Sequence, residues 1–461
     1  MSKFASKAAK APVNMLEGPI WKGILYFAIP IFFGNLFQQL YNTADTLIVG
    51  NFIGKEALAA VSSSGNLIFM MVGFLNGMAM GAGVLISKAY GAKDHEGMRR
   101  TIHTDLAFGV VAGLTLTVVG LLITPTILRW MGTPETVLPN SIAYFRVYFL
   151  GSTASFLYNI CTGILQAIGD SRHPLYFLII SSVTNVALDL LFIAVFHWGV
   201  ASAAAATVIS QCLSAVLCLR QLLRTDGPHK VYLKEIRLHI PTLKNIIRFG
   251  LPSGVQNSVI AFANVIMQSN INAFGDSAMA GCGSYSKIEG FAFLPVTCFS
   301  MALATFVGQN LGAKQHDRVN QGARFGVFCS MLVAESFGIF VFLFAPQIIG
   351  LFNTDPEVVA YGVLQARTIS LFYCLLALNH CMAGVLRGAG KPTVPMLVML
   401  VCWCVIRVAY VTAVVPILET IQVVFSAYPL TWTISALFFL YYYFKSDWLH
   451  HFDRMEASEN A

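Results

Sequence analysis

The sequence predicts an all-α polytopic membrane protein, with twelve transmembrane helices in two six-helix lobes related by a pseudo-two-fold axis along the membrane normal. Three observations carry that prediction. Of 461 residues, 56% are hydrophobic and only 11% are charged, where a soluble protein averages about 25% charged. Apolar runs long enough to cross a bilayer recur along the chain, for example 106–127, 175–196 and 325–344. The second half also repeats motifs of the first at an offset near 221 residues. The alternating segments of about ten residues that mark a membrane β-barrel are absent.

The elements follow in order. A tail, 1–21, carries Lys3, Lys7 and Lys10, and Lys22 opens the first apolar run. A cleavable signal peptide also begins with positive charge, but this run is too long and lacks a small-residue cleavage site before a soluble domain. It reads as the first span. Turn-like and charged breaks then give spans at 22–50, 57–87, 102–127, 137–168, 174–197 and 200–224, the first lobe (22–224). A basic linker, 225–242, leads to spans at 243–274, 279–309, 320–350, 357–388, 393–418 and 421–445, the second lobe (243–445). A tail, 446–461, closes the chain. Several spans exceed the bilayer minimum, which implies tilt or projection beyond it.

Charge orients this plan. With the amino terminus in the cytoplasm, 23 of the 29 basic residues fall on the cytoplasmic side. The outer loops receive only Lys55 and Arg129, while Arg146, Lys287, Arg367 and Arg407 lie within spans. The asymmetry obeys the positive-inside rule and places both termini in the cytoplasm.

The repeat is explicit. Residues 27–30 (FAIP) match 249–252 (FGLP), and 51–60 (NFIGKEALAA) match 272–281 (NAFGDSAMAG). Residues 90–95 (YGAKDH) match 311–316 (LGAKQH), and 162–174 (TGILQAIGDSRHP) match 383–395 (AGVLRGAGKPTVP). Six spans per copy make both copies enter the membrane from the same side, so the repeats are parallel. Two bundles with a cleft between them are expected, an architecture that transporters use for alternating access.

Ionisable groups inside spans are expensive and so are functional candidates. The carboxylates well inside spans are Asp45, Asp189, Glu289 and Glu335. Asp45 follows Tyr41 by four residues and Asp189 follows Asn185 by four, so each pair shares a helix face. A carboxylate out of water favours its protonated form and can load and release a proton. Na+ would instead want several oxygens, and Asp45, Asn185, Asp189 and Thr207 can supply them. A structural hydrogen-bond cluster between spans 1 and 5 is the alternative reading. At an offset of 221 or 222, Asp45 maps to Ile266 or Met267 and Asp189 to Tyr410 or Val411. Cation coupling is therefore expected in the first lobe.

In the second half, Lys287 and Glu289 do not share a helix face; Glu289 can pair with Arg407, and either can pair with the other's neighbours. Glu289 reads as a structural ion-pair partner or as a substrate or second cation acid; Glu335 is left unassigned. Pro30 in span 1 permits a kink, and its repeat mate Pro252 points to a structural component. Phe37, Gln38, Met70, Phe156 and Met267 are candidate substrate-lining residues, on the ground that a flat cation needs aromatic and adaptable apolar surface. The ten cysteines and the histidines lack metal-ligand spacing, so no metal is expected beyond Na+ at Asp45, Asn185, Asp189 and Thr207. The stretch 308–314 (GQNLGAK) does not meet the phosphate-loop pattern. No nucleotide, nucleic acid, cofactor or enzymatic activity is expected.

The twelve spans, Pro30, 41–50 (YNTADTLIVG), 52–60 (FIGKEALAA), 307–314 (VGQNLGAK) and 185–189 (NVALD) together resemble the multidrug and toxic compound extrusion (MATE) transporters, closest to the bacterial DinF- and MepA-like branch. The resemblance covers essentially the whole chain. It implies a monomer in the bacterial cytoplasmic membrane, among lipids, that exports cationic or amphipathic compounds in exchange for H+ or Na+. Tyr41, Asp45, Asn159, Asn185, Asp189 and Thr207 fall on positions lining the family's N-lobe cation site, and Pro30 on its proposed bending proline. Span 7 lacks the acid that some branches carry for Na+. A lipid-linked oligosaccharide or peptidoglycan-precursor flippase of the same superfamily is the alternative; those proteins usually have extra spans or a strongly cationic cavity.

Overall fold

The computed structural model describes residues 12–53, 55–130, 133, 135 and 137–454, with the side chains of 46, 47, 50, 51 and 55–70 set aside. The first half contains α1 (Ile20–Phe52), α2 (Lys55–Gly91), α3 (His95–Trp130), α4 (Leu138–Leu150), α5 (Ser152–Ala167), α6 (Arg172–Asp189) and α7 (Ala201–Arg224). The second contains α8 (Ile240–Asn272), α9 (Asp276–Gly312), α10 (His316–Gly350), α11 (Pro356–Ile369), α12 (Tyr373–Gly388), α13 (Thr393–Met399), α14 (Arg407–Leu418) and α15 (Ile421–Lys445). A π-helical turn, Leu190–Val195, extends α6, and another, Leu400–Ile406, joins α13 to α14. The pairs α4/α5 and α11/α12 each act as one broken span, so the helices make twelve rods at the expected places.

Ten stretches among the described residues are long and apolar enough to cross a membrane. The two rods outside that set have clear reasons. The fourth is broken at Gly151, and α8 carries Gln256, Asn257, Gln268 and Asn270. Large apolar side chains stand exposed on the outer helix faces, such as Leu122, Val118, Phe328 and Leu332, as a lipid-facing surface requires.

The backbone repeats with the sequence. Lys93 and Lys314 both take left-handed conformations (φ 57° and 58°), each just before the histidine that starts α3 or α10. Gly169 and Gly390 do the same (φ 92° and 77°) at the turns after α5 and α12. Both pairs keep the 221-residue spacing.

The chain divides into two compact units. One comprises Met1–Asn14 with Ile29–Leu251, the other Met15–Ala28 with Pro252–Ala461. Both dividing points fall beside the repeated prolines, Pro30 and Pro252. The units therefore differ from a simple split at the linker. In the first unit, the opening turns of α8 pack on α2 because glycines permit it: a Cβ at Gly81 would lie 2.2 Å from the Gly250 nitrogen. In the second, Asn310 and Arg318 donate to backbone oxygens at Met15, Glu17 and Gly18.

The first unit holds two apolar clusters. Leu75, Met78, Ile102, Leu106, Phe156, Ile160 and Ile164 anchor one, and Ile48, Val49, Tyr144, Phe145, Tyr148 and Ala203 the other. In the second unit α12 runs close to α9. A Cβ at Gly384 would meet the Ser300 carbonyl oxygen at 2.3 Å, and one at Gly388 the Ala304 carbonyl oxygen at 2.4 Å. Small residues four apart on both helices let the backbones touch, the usual means of tight association in lipid.

Candidate cation-coupling site

Asp45 sits in α1 and Asp189 at the last position of α6. Both lie in the first unit, and each carboxyl group is in the other's electrostatic field. Asp189 is wholly buried, Asn185 is 1% exposed and Thr207 is 8% exposed. The amide of Asn185 donates to the Thr207 hydroxyl at 3.4 Å, and that hydroxyl donates to the Ala203 carbonyl at 3.1 Å. The phenols of Tyr41 and Tyr144 lie within electrostatic reach of both carboxyl groups.

Local sequence builds this arrangement. Gly151 ends α4 at the point where α7 approaches, since a Cβ there would lie 2.5 Å from Val208. A side chain at 151 would push away the turn that carries Thr207. On the other side, Asp189 ends the regular part of α6 and the π-helical turn begins at Leu190. Such turns concentrate at functional sites because they re-aim side chains.

Asp45 Oδ1, Asn185 Oδ1 and both carboxyl oxygens of Asp189 are buried and accept from no N–H or hydroxyl group among the described residues, while the two carboxyl groups stand within hydrogen-bonding reach of each other, a contact that needs a proton on one of them. Buried polar groups are paired almost everywhere in folded proteins, and each unpaired one costs about 1–3 kcal/mol. Acceptor oxygens without donors fit a proton or a hard cation, which supplies the missing positive partner.

The remaining candidates fall in different places. Asn159 turns its amide N–H back to the Ser155 carbonyl at 2.9 Å. Pro30 is buried, and α1 runs through it without interruption. Phe37 and Gln38 are exposed on α1. Phe156 is 1% exposed in the apolar core, edge-on to Phe108. Met267 is wholly buried in a cluster with Ile271, Val411 and Phe425. Neither Phe156 nor Met267 offers surface to a substrate in this conformation. The side chain of Met70 lies outside the described residues.

In the second unit, Arg407 is 2% exposed and donates twice to the Thr431 hydroxyl, at 3.1 and 2.8 Å. Its guanidinium lies over the Tyr428 ring at 4.5 Å and the Trp403 ring at 5.3 Å, with Glu289 in its field. Lys287 lies instead over Phe352 at 5.7 Å. Glu335 accepts from the Cys374 N–H at 2.9 Å, so it caps the positive end of α12.

Sequence reasoning missed four buried or site-flanking residues, three of them near the acid pair. Tyr144 and Tyr148 stand four apart on α4 beside the acid pair, and that spacing was the available signal. Gln211 links the site outward by accepting from the Ser155 hydroxyl. Asp105, on α3, is 2% exposed; it lies near the expected span end, where a charge raises no alarm.

Twelve helical rods among the described residues, ten of them long and apolar enough to cross a membrane, an internal sequence repeat and an acid pair within one unit define a polytopic membrane transporter. The MatE family model matches residues 30–191 and again 252–412, once per repeat, and the chain belongs to that family. It is 29% identical over 440 residues to the probable multidrug resistance protein YoeA of Bacillus subtilis, covering 93% of this chain and 94% of YoeA. It is 21% identical to the multidrug export protein MepA of Staphylococcus aureus, covering 81% and 83%. Among solved structures, an outward-facing multidrug resistance MATE transporter of the MOP superfamily superimposes with a TM-score of 0.87 at 24% identity, over 94% of this chain and 97% of that one.

Proposed function

We propose that this transporter exports cationic or amphipathic small molecules in exchange for inward flow of H+ or Na+, by alternating access of its two lobes. The observation that supports the reading is the close contact of the Asp45 and Asp189 carboxyl groups within one unit, with the Asn185 oxygen and the Asp189 oxygens buried and accepting from no N–H or hydroxyl group among the described residues. A cation entering this cluster neutralises an otherwise unpaired acid pair. Its loss on the other side restores the repulsion. The two states of the pair then differ in free energy, as a coupling device requires. Tyr41 and Thr207 orient the pair, and Pro30 lets α1 respond, because a proline leaves one helix hydrogen bond unmade. The excess of basic residues on one side of the spans supports an orientation with both termini in the cytoplasm, and the bacterial relatives support placement in the cytoplasmic membrane.

The test is dye accumulation in cells lacking their own major exporters. Cells expressing the wild type should accumulate less ethidium than cells expressing Asp45→Asn or Asp189→Asn at equal membrane abundance. Equal efflux by all three proteins would remove the acid pair from the mechanism. Absence of efflux by the wild type, with lipid-linked sugar movement in its place, would favour a flippase.

A further inference from the structure

Outside the acid pair, one cluster among the described residues brings together side chains that ligate metals. His316 opens α10, while His450 and Asp453 lie in the helical turn that follows α15. One ligand atom from each of the three lies within 4.8 Å of the others. We infer that His316, His450 and Asp453 form a binding site for a first-row divalent cation of the Zn2+ type, at the end of the second unit where the chain leaves its last span.

The distances admit a shared ion as well as an ion pair. His316 Nε2 stands 3.6 Å from Asp453 Oδ2. That is long for a hydrogen bond, which would close to about 2.9 Å. It is near the separation of about 3.3 Å between two atoms that share a tetrahedral Zn2+ at about 2.0 Å. The two imidazoles approach with centroids 4.8 Å apart at 37°, near enough to converge on one ion.

The outer groups are also in place. His450 Nδ1 is 2.6 Å from Asp447 Oδ1. A carboxylate on one ring nitrogen fixes the tautomer and frees Nε2 for metal, the arrangement that supports ligating histidines. Arg454 pairs with the other side of Asp447 and holds it. His316 Nδ1 is buried without a partner, and its Nε2 is the nitrogen that faces Asp453. Two histidines and one carboxylate leave a position for water, as three-ligand zinc sites do.

The segment carrying two of the ligands is anchored. Trp448 and Phe452 are 2% and 3% exposed, and the Trp448 N–H donates to the Tyr443 carbonyl at 3.1 Å. Tyr443 in turn donates to Asn320 on α10. These contacts fix 447–454 against the start of α10 without any metal, so the site is preorganised. The repeat supplies an internal control: His95 is the mate of His316, is exposed, and belongs to no such cluster among the described residues.

The experiment is Zn2+ titration of the full chain in detergent micelles, with no histidine tag, followed by calorimetry and by the visible spectrum of substituted Co2+. The wild type should bind one ion per chain with a tetrahedral Co2+ spectrum. His316→Ala, His450→Ala and Asp453→Asn should each abolish that spectrum, and Asp447→Asn should weaken binding about 10- to 100-fold. His95→Ala should match the wild type. Elution profiles of all variants should match, which separates lost ligation from lost folding. Binding that survives in a His316→Ala/His450→Ala double variant, or a wild type that binds no Zn2+, would overturn the assignment. The site is independent of the acid pair, so its failure would leave the transport reading untouched.

Discussion

Gly384→Val and Gly388→Val test whether the second unit depends on backbone contact between α9 and α12. A Cβ at 384 would lie 2.3 Å from the Ser300 carbonyl oxygen, and one at 388 would lie 2.4 Å from that of Ala304. Ordinary contact begins at 3.4 Å, so α12 must retreat by about 1 Å at each point. The obstacles are main-chain atoms and cannot rotate aside. Overpacking of this kind costs about 1–3 kcal/mol per site. The two positions are one turn apart on one face, so relieving one strain relieves part of the other. The double variant should then cost less than the sum. The retreat would also stretch the bond from Ser300 Oγ to the His380 carbonyl, now 2.6 Å, and the 2.7 Å contact between the Tyr285 and Tyr373 hydroxyls. The assay is thermal unfolding in detergent, read by fluorescence-detected size exclusion. Gly283→Ala on α9 is the control: nothing lies within 4 Å of its added Cβ, so it should gain about 0.5–1 kcal/mol. The expected order of melting temperature is Gly283→Ala, wild type, then the two valine variants. Valine variants that melt with the wild type would refute the close-contact argument.

Three further outcomes are expected. Thr431→Val strips the acceptor from the buried Arg407 guanidinium and should destabilise the protein by about 1–3 kcal/mol, measured by the same melting assay, while Thr431→Ser should not. Thr207→Val should slow drug efflux with little change in melting temperature, and Thr207→Ser should retain it, as a missing oxygen ligand predicts. Glu235, in the linker, accepts a two-point contact from Arg99, which holds its carboxyl below the usual carboxylate range. That stabilisation is present at neutral pH and is lost only as pH falls through the depressed value. Hydrogen-exchange protection in 225–239, measured relative to the intrinsic exchange rate at each pH, should thus be unchanged from neutral to mildly acidic pH and lower in Glu235→Gln.

The twelve rods were legible because each needed an apolar run, and charged breaks separated them. Their ends were not: α3 begins at His95 and α10 at His316, several residues before the apolar runs, because a helix projecting into water needs no hydropathy. The breaks at Gly151 and at Ser370–Phe372 were hidden for the opposite reason, since hydropathy runs straight through them. The acid pair was legible because a charge in a long apolar run stands out. Its surroundings were not, because Tyr144 and Tyr148 look like ordinary apolar filling until α4 is packed on α2, α3 and α7, in one cluster with Ile48 of α1 and Val186 of α6. Glu335 had no reading until the start of α12 was placed beside it. The histidine cluster escaped because its ligands come from opposite ends of the second half.

The central claim is that Asp45 and Asp189 couple cation entry to drug exit. It is tested most directly by ethidium movement in proteoliposomes under separately imposed H+ and Na+ gradients, comparing the wild type with Asp45→Asn and Asp189→Asn. One of the two gradients should accelerate transport by the wild type, and neither should accelerate transport by the variants. A variant that still responds to the gradient driving the wild type would contradict the account.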